Sequence, residues 1–191
     1  MKNMIRRLLT AALLGSPVLA LAAPADYTHT VTFTPGSAGA EVLGFQNVSD
    51  DQDVEIKRIE VSHASTMTVT GGLMQYWVFA STAMTHSDAA GYTHSYRAAL
   101  ASLPAAVNVS TAPTSVTFEE DCPLFRPFVV NNDETATAQF SDVWAYDAEG
   151  ANGPILLPKG SDRGIVFEQR RLGTADITAG TILVRILYTV R

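Results

Sequence analysis

The chain has a single cysteine, Cys122, in 191 residues. No intrachain disulfide can form, so the small disulfide-stapled scaffolds are excluded. Local catalytic signatures are missing too. There is no GxSxG elbow, Walker loop, GxGxxG or HExxH, and "GSDRG" at 160–164 carries its serine in the wrong place. Positive charge is scarce, with 13 Lys and Arg against 19 Asp and Glu. An acidic surface repels phosphate backbones and anionic bilayers, which argues against nucleic acid or a membrane surface as partner. No internal repeat, low-complexity tract or interdomain linker occurs.

The first residues read as an export signal. "MKNMIRRLLTAALLGSPVLALA" has Lys2, Arg6 and Arg7, then an apolar run, then Ala20-Leu21-Ala22 as a small-x-small cleavage site. Thr10, Gly15, Ser16 and Pro17 interrupt that run, so it falls short of the roughly 20 apolar residues of a spanning helix. The reading is a signal peptide over 1–22 and one domain over 23–191, with no integral membrane segment after cleavage. Loss of three bases and no acid takes the formal charge from −6 to −9. The remaining 169 residues (191 less 22) suit a single domain that builds its core without disulfides.

What remains is mostly alternation. "DYTHTVTFT" sets Tyr27, His29, Val31 and Phe33 against four threonines, the period of a half-buried strand. "VEIKRIEVS" changes parity at Lys57-Arg58, which predicts a bulge near that pair. "GGLMQYWVFAS" is apolar on both parities and predicts a strand covered on both faces or one bordering a partner subunit. "GYTHSYRAALASLPAAV" reads as strand with loop, and "TAPTSVTFEEDCPLFRPFVV" as strands near 114–119 and 124–130. The last 38 residues read strand, turn, strand, turn, strand, and in the final strand Ile182, Val184, Ile186, Tyr188 and Val190 share one face. The pattern predicts about ten short strands in an all-β, single-domain antiparallel sandwich or jelly roll.

Four groups of residues are candidates for chemistry or contact. Asp51, Asp53 and Glu55 alternate in "DDQDVE", and carboxylate oxygens at that spacing suit calcium, though the glycine of an EF-hand loop is missing. His86, Asp88 and His94 flank a glycine loop with no diagnostic metal spacing. Cys122 follows Glu119, Glu120 and Asp121, whose charges raise a thiol pKa. It therefore reads as a buried thiol or a link to a second chain rather than a nucleophile. The apolar row from Ile182 to Val190 reads as a self-association surface.

Two resemblances accompany these residues. The alternating first strand and the closing "AGTILVRILYTV" resemble subunits of surface pili assembled by donated strands, although such subunits commonly carry a disulfide pair and this chain has only Cys122. "PILLPKGSDRGIVFEQ" together with "ITAGTILVRILYTV" is similar to the last hairpin of jelly-roll proteins that coat virus capsids. Either resemblance implies a subunit that assembles; neither assigns a functional residue. The expectation is a non-enzymatic, exported structural subunit at the cell surface, outside the cell or in the periplasm, forming a homo-oligomer or polymer. The alternative is a secreted carbohydrate- or ligand-binding module with calcium as its candidate cofactor and no other. Mass spectrometry of the exported protein should find Ala23 as the first residue; a retained Met1 would contradict the signal reading.

Overall fold

The computed structural model describes residues 25–34, 40–63, 67–86, 92–95, 98–101, 104–120, 124–132, 137–138, 144–150, 153–179 and 181–191. These hold fourteen strands and no helix. One antiparallel sheet contains β1 (Ala25–Phe33), β3 (Val54–His63), β5 (Tyr92–Ser95), β6 (Ala98–Ala101), β11 (Trp144–Asp147), β12 (Ile155–Leu157) and β14 (Ile182–Val190). The second contains β2 (Ala40–Asn47), β4 (Met67–Thr85), β7 (Val107–Ser110), β8 (Thr114–Phe118), β9 (Phe125–Asn132), β10 (Thr137–Ala138) and β13 (Gly164–Ala179). The expected all-β sandwich is what forms. The strands outnumber the expected ten because pieces of two to four residues, such as β6, β10 and β12, are too short to show a period in sequence.

The chain pairs like one long hairpin. β1 pairs β14 and β2 pairs β13. β3 pairs β11 and β12, and β4 pairs β8, β9 and β10. The hairpin is wrapped, because β1, β3 and β14 lie in one sheet while β2, β4 and β13 lie in the other. β14 joins β3 on its second side over the whole length from Ile182 to Val190, which places the last strand between the first and the third.

Alternation decides what each sheet turns inward. Ile182, Val184, Ile186 and Tyr188 are each fully buried, as are Val54, Ile56 and Ile59 of β3. The parity change predicted at Lys57-Arg58 is a bulge: Leu187 lies opposite Arg58 and Tyr188 opposite Ile56, so Lys57 is the extra residue. That one insertion lets Ile56 and Ile59 share the inner face although they are three positions apart. From the second sheet come Leu43, Phe45, Tyr76, Val78, Ile165 and Phe167. Aromatic rings bridge the layers: Phe45 meets Tyr188 edge-on at 5.1 Å and Tyr76 meets Phe33 at 6.0 Å. Each fully buried large side chain contributes about 1.5–3 kcal/mol, so this inner layer dominates stability.

Two buried polar contacts tie neighbouring strands together. His29 Nδ1 lies 2.9 Å from Thr93 Oγ1, tying β1 to β5. Tyr76 donates its hydroxyl to Gln169 Oε1 at 3.2 Å, tying β4 to β13. Burial pushes the Tyr76 and Tyr188 phenols well above the ordinary tyrosine range, so both stay neutral at physiological pH.

At one end of the sandwich the polar side chains of β2 tie down two loops. Asn47 Nδ2 donates to the carbonyls of Gln52 at 2.9 Å and Leu157 at 2.8 Å, and its Oδ1 accepts from Ser49 N–H. Gln46 Nε2 donates to the Asp162 carbonyl at 2.6 Å. The turn held this way includes Gly160 at φ 63°. Gly164, just beyond it, sits where strands and a side chain crowd together. A Cβ there would lie 2.5 Å from the Phe45 carbonyl oxygen and 2.6 Å from Met84 Cε. Backbone cannot yield as a side chain can, so Gly164→Ala should lose about 1–3 kcal/mol in chemical denaturation. Gly150→Ala, whose Cβ would meet only the Asp147 carbonyl oxygen at 4.0 Å, should change stability by less than about 0.5 kcal/mol.

Candidate functional site

The expected contact row is not a surface. Ile182, Val184, Ile186 and Tyr188 form the middle of the core, Val190 is partly buried against it, and β14 is paired on both sides. An apolar row and a strand needing a ladder are both satisfied within the chain, by the second sheet and by β1 and β3. The self-association surface expected there is therefore corrected: the row is core.

The acidic triplet is drawn into the same end of the sheet. Asp51 is exposed in the loop after β2. Asp53 Oδ1 accepts the Lys159 N–H at 2.8 Å, and its backbone exchanges two hydrogen bonds with Arg191. Glu55 pairs with Arg191 Nη1 at 2.8 Å. Among the described residues no three His, Cys, Asp or Glu side chains are grouped to hold a metal ion, the set Asp51, Asp53 and Glu55 included. His86 Nε2 lies 2.7 Å from Gln46 Oε1. Thr28 lies opposite His94 in the β1–β5 ladder. Asp88 and Cys122 lie outside the described residues, as does the His94 side chain.

The structure instead shows two differently built outer faces. On the first sheet, residues that alternate with the core row form a ladder of charges. Arg58 Nη2 lies 2.9 Å from Glu60 Oε1, and Arg58 Nη1 lies 4.0 Å from Asp147. Arg185 Nη1 lies 3.8 Å from the other Glu60 oxygen. Glu60 thus stands between two guanidiniums whose side chains are about half exposed, 46% for Arg58 and 55% for Arg185. Thr28 lies opposite Leu187 in the β1–β14 ladder, and Leu187 lies opposite Arg58 in the β14–β3 ladder. These five residues line a depression of about 190 Å³. It combines an apolar floor, a hydroxyl, a carboxylate and two fork-shaped donors.

Beside it, Asp26 spans three strands. Its Oδ1 accepts from Lys57 Nζ of β3 at 2.7 Å and from the Thr189 hydroxyl of β14. The bulge that sets the inner register also supplies Lys57. The Lys57 and Thr189 hydrogen bonds hold the Asp26 carboxyl below its usual range.

The outer face of the second sheet is aromatic and covered. The Arg170 guanidinium lies 4.1 Å from the Trp77 ring centre and 5.2 Å from that of Phe79. The same guanidinium forks onto Glu168, with Nε to Oε1 at 3.1 Å and Nη2 to Oε2 at 2.9 Å. Phe79 is buried and packs on Phe118 at 4.8 Å. This explains why the Trp77 strand is apolar on both parities: Tyr76 and Val78 face the core, while Phe79 faces a second, smaller cluster. A guanidinium stacked on Trp77 occupies a face that a sugar ring would otherwise use.

Sequence reasoning missed Arg58, Glu60, Arg185, Arg170 and Glu168. Their signal was present as polar positions alternating with core positions. Which polar residue meets which depends on register between strands far apart in the chain. Comparison with protein-family models, curated proteins and solved structures finds no match to this chain.

The Asp26 cluster generates a pH prediction. Because its folded pKa is lowered, Asp26 contributes stability that is present above the ordinary value of 3.8 and lost as pH falls through the lowered one. Asp26→Asn should therefore flatten the acid limb of a melting-temperature profile taken from about pH 6 to pH 2. An unchanged acid limb would show that the cluster contributes nothing.

Proposed function

We propose that this chain is a non-enzymatic structural subunit of an extracellular or cell-surface assembly, exported and self-associating, with its sandwich in the jelly-roll form. One observation carries the reading. The first and last strands are zipped together from Ala25–Val190 to Phe33–Ile182 in the middle of a sheet, with β3 closing the other side of β14. Chain ends are where opening and proteolysis usually begin. Here β1 and β14 are each paired on both sides, which suits a subunit that has to survive outside the cell. The wrapped hairpin, with consecutive early strands landing in alternate sheets, supports the jelly-roll form.

Edge geometry says how association would proceed. Among the described residues, the strands that end the two sheet orders are β6, β7, β10 and β11, each of two to four residues. Short edge strands blunt strand addition. The longer margin strand β9 carries Pro127, which cannot donate to a ladder. Association through faces is therefore favoured over association through edges. Light scattering of the mature protein over a hundredfold or so range of concentration, with and without reductant, should show oligomers, and electron microscopy should show a regular array. A monomer under every condition would contradict the proposal, and a species lost only with reductant would assign the contact to Cys122.

A further inference from the structure

We infer that the depression on the outer face of the first sheet is a binding site for one carboxylate-bearing sugar unit of an acidic saccharide. Five residues line it: Thr28, Arg58, Glu60, Arg185 and Leu187. Its volume of about 190 Å³ is below the roughly 300 Å³ at which pockets for drug-sized ligands begin, so it fits one ring rather than an extended molecule.

Each lining residue matches one part of such a unit. A guanidinium carries five N–H donors in a planar fork. Glu60 meets Arg58 through a single close oxygen at 2.9 Å and Arg185 only at 3.8 Å, beyond hydrogen-bond reach. Donors of both arginines thus remain for a carboxylate, which the fork receives in bidentate geometry. Glu60 accepts from ring hydroxyls, and the Thr28 hydroxyl gives and accepts beside it. Leu187, between Thr28 and Arg58 in the ladders, offers an apolar floor to the C–H face of the ring.

Charge and chemistry narrow the ligand. Asp147 reaches Arg58 only at 4.0 Å and is not among the lining residues, so within the depression two guanidiniums face one carboxylate and their remaining donors can receive an anionic group. A bare inorganic anion would use the arginines and leave Glu60 as a repulsive neighbour. A neutral sugar would use Glu60 and Thr28 and leave the arginine donors unfilled. A uronate ring uses all five residues at once. The site rests on three adjacent strands, β1, β14 and β3, in the rigid middle of the sheet. All five lining residues belong to one chain, so the site is complete without assembly.

The test titrates the folded full-length mature protein with a short oligogalacturonate, its neutral oligogalactose counterpart, a sulfated saccharide and an oligoglutamate peptide, at one fixed ionic strength. Binding is read by calorimetry and by amide shifts in nuclear magnetic resonance. The uronate should bind, with shifts at Thr28, Arg58, Glu60, Arg185 and Leu187, and the other three should bind at least about tenfold more weakly. Arg185→Gln and Arg58→Gln should each weaken uronate binding about tenfold or more, as expected for loss of a charge-assisted hydrogen bond. Glu60→Gln should narrow the preference for the uronate over the sulfated saccharide. If a glutamine variant fails to fold, the shift map of the unaltered protein decides alone. No uronate binding, shifts elsewhere, or equal binding of the sulfated saccharide or the acidic peptide would each overturn the inference.

Discussion

The structure depends on one placement: β14 lies between β1 and β3, paired along nine residues on each side. This pairing brings the beginning and end of the folded chain together and puts β3 beside them. It also turns Ile182, Val184, Ile186 and Tyr188 inward against Phe45 and its neighbours in the second sheet. Because strand side chains alternate, the same placement fixes the opposite face, where Arg185 and Leu187 meet Glu60 and Arg58. Core and outer ladder are two readings of one register. A slip of a single residue would exchange them.

The bulge at Lys57 shows how a local irregularity serves both faces. Inside, it restores Ile59 and Val61 to the row begun by Val54 and Ile56. Outside, it supplies the ammonium that holds Asp26. Nothing comparable interrupts β1 along its pairing with β14, which is continuous from Ala25 to Phe33. The long partner strands β4 and β13 do carry register shifts, at Gly173–Asp176 and Ile177–Ala179. The irregularities of the two sheets therefore differ. In the first, the shift at Lys57 restores one inner row; in the second, shifts occur in the pairings of β13 with β2 and β4 and of β4 with β8 and β9.

Much of this architecture was legible in the sequence. Period-two alternation located β1 and β14, and the parity change within "VEIKRIEVS" located the bulge before any partner strand was known. Double-sided apolarity foretold that the Trp77 strand is covered on both faces. What alternation could not say is what does the covering. The row from Ile182 to Val190 looked like a surface for another subunit, yet its own second sheet buries it. A one-dimensional pattern reports that a face is apolar and is silent about which chain supplies the other side. The outer sites were less legible still. Glu60 and Arg185 are distant in sequence and directly opposite in the ladder, and no local motif carries that relation. The acidic run at Asp51, Asp53 and Glu55 was conspicuous in sequence, but Lys159 and Arg191 engage Asp53 and Glu55 as part of the end of the sandwich.

The two outer faces of the sandwich differ. One is a polar ladder with an open depression; the other is an aromatic cluster with Arg170 laid across it. Unlike faces suit head-to-face packing or the display of one face from an array. All of this presupposes that the first and last strands form the most durable part of the molecule. Native-state hydrogen exchange measures that directly. The amides of β1 and β14 that bond within the sheet should be the last to exchange, opening only with global unfolding, while those of β7 and β11 exchange earlier. Exchange in β14 as fast as in the short margin strands would contradict the account.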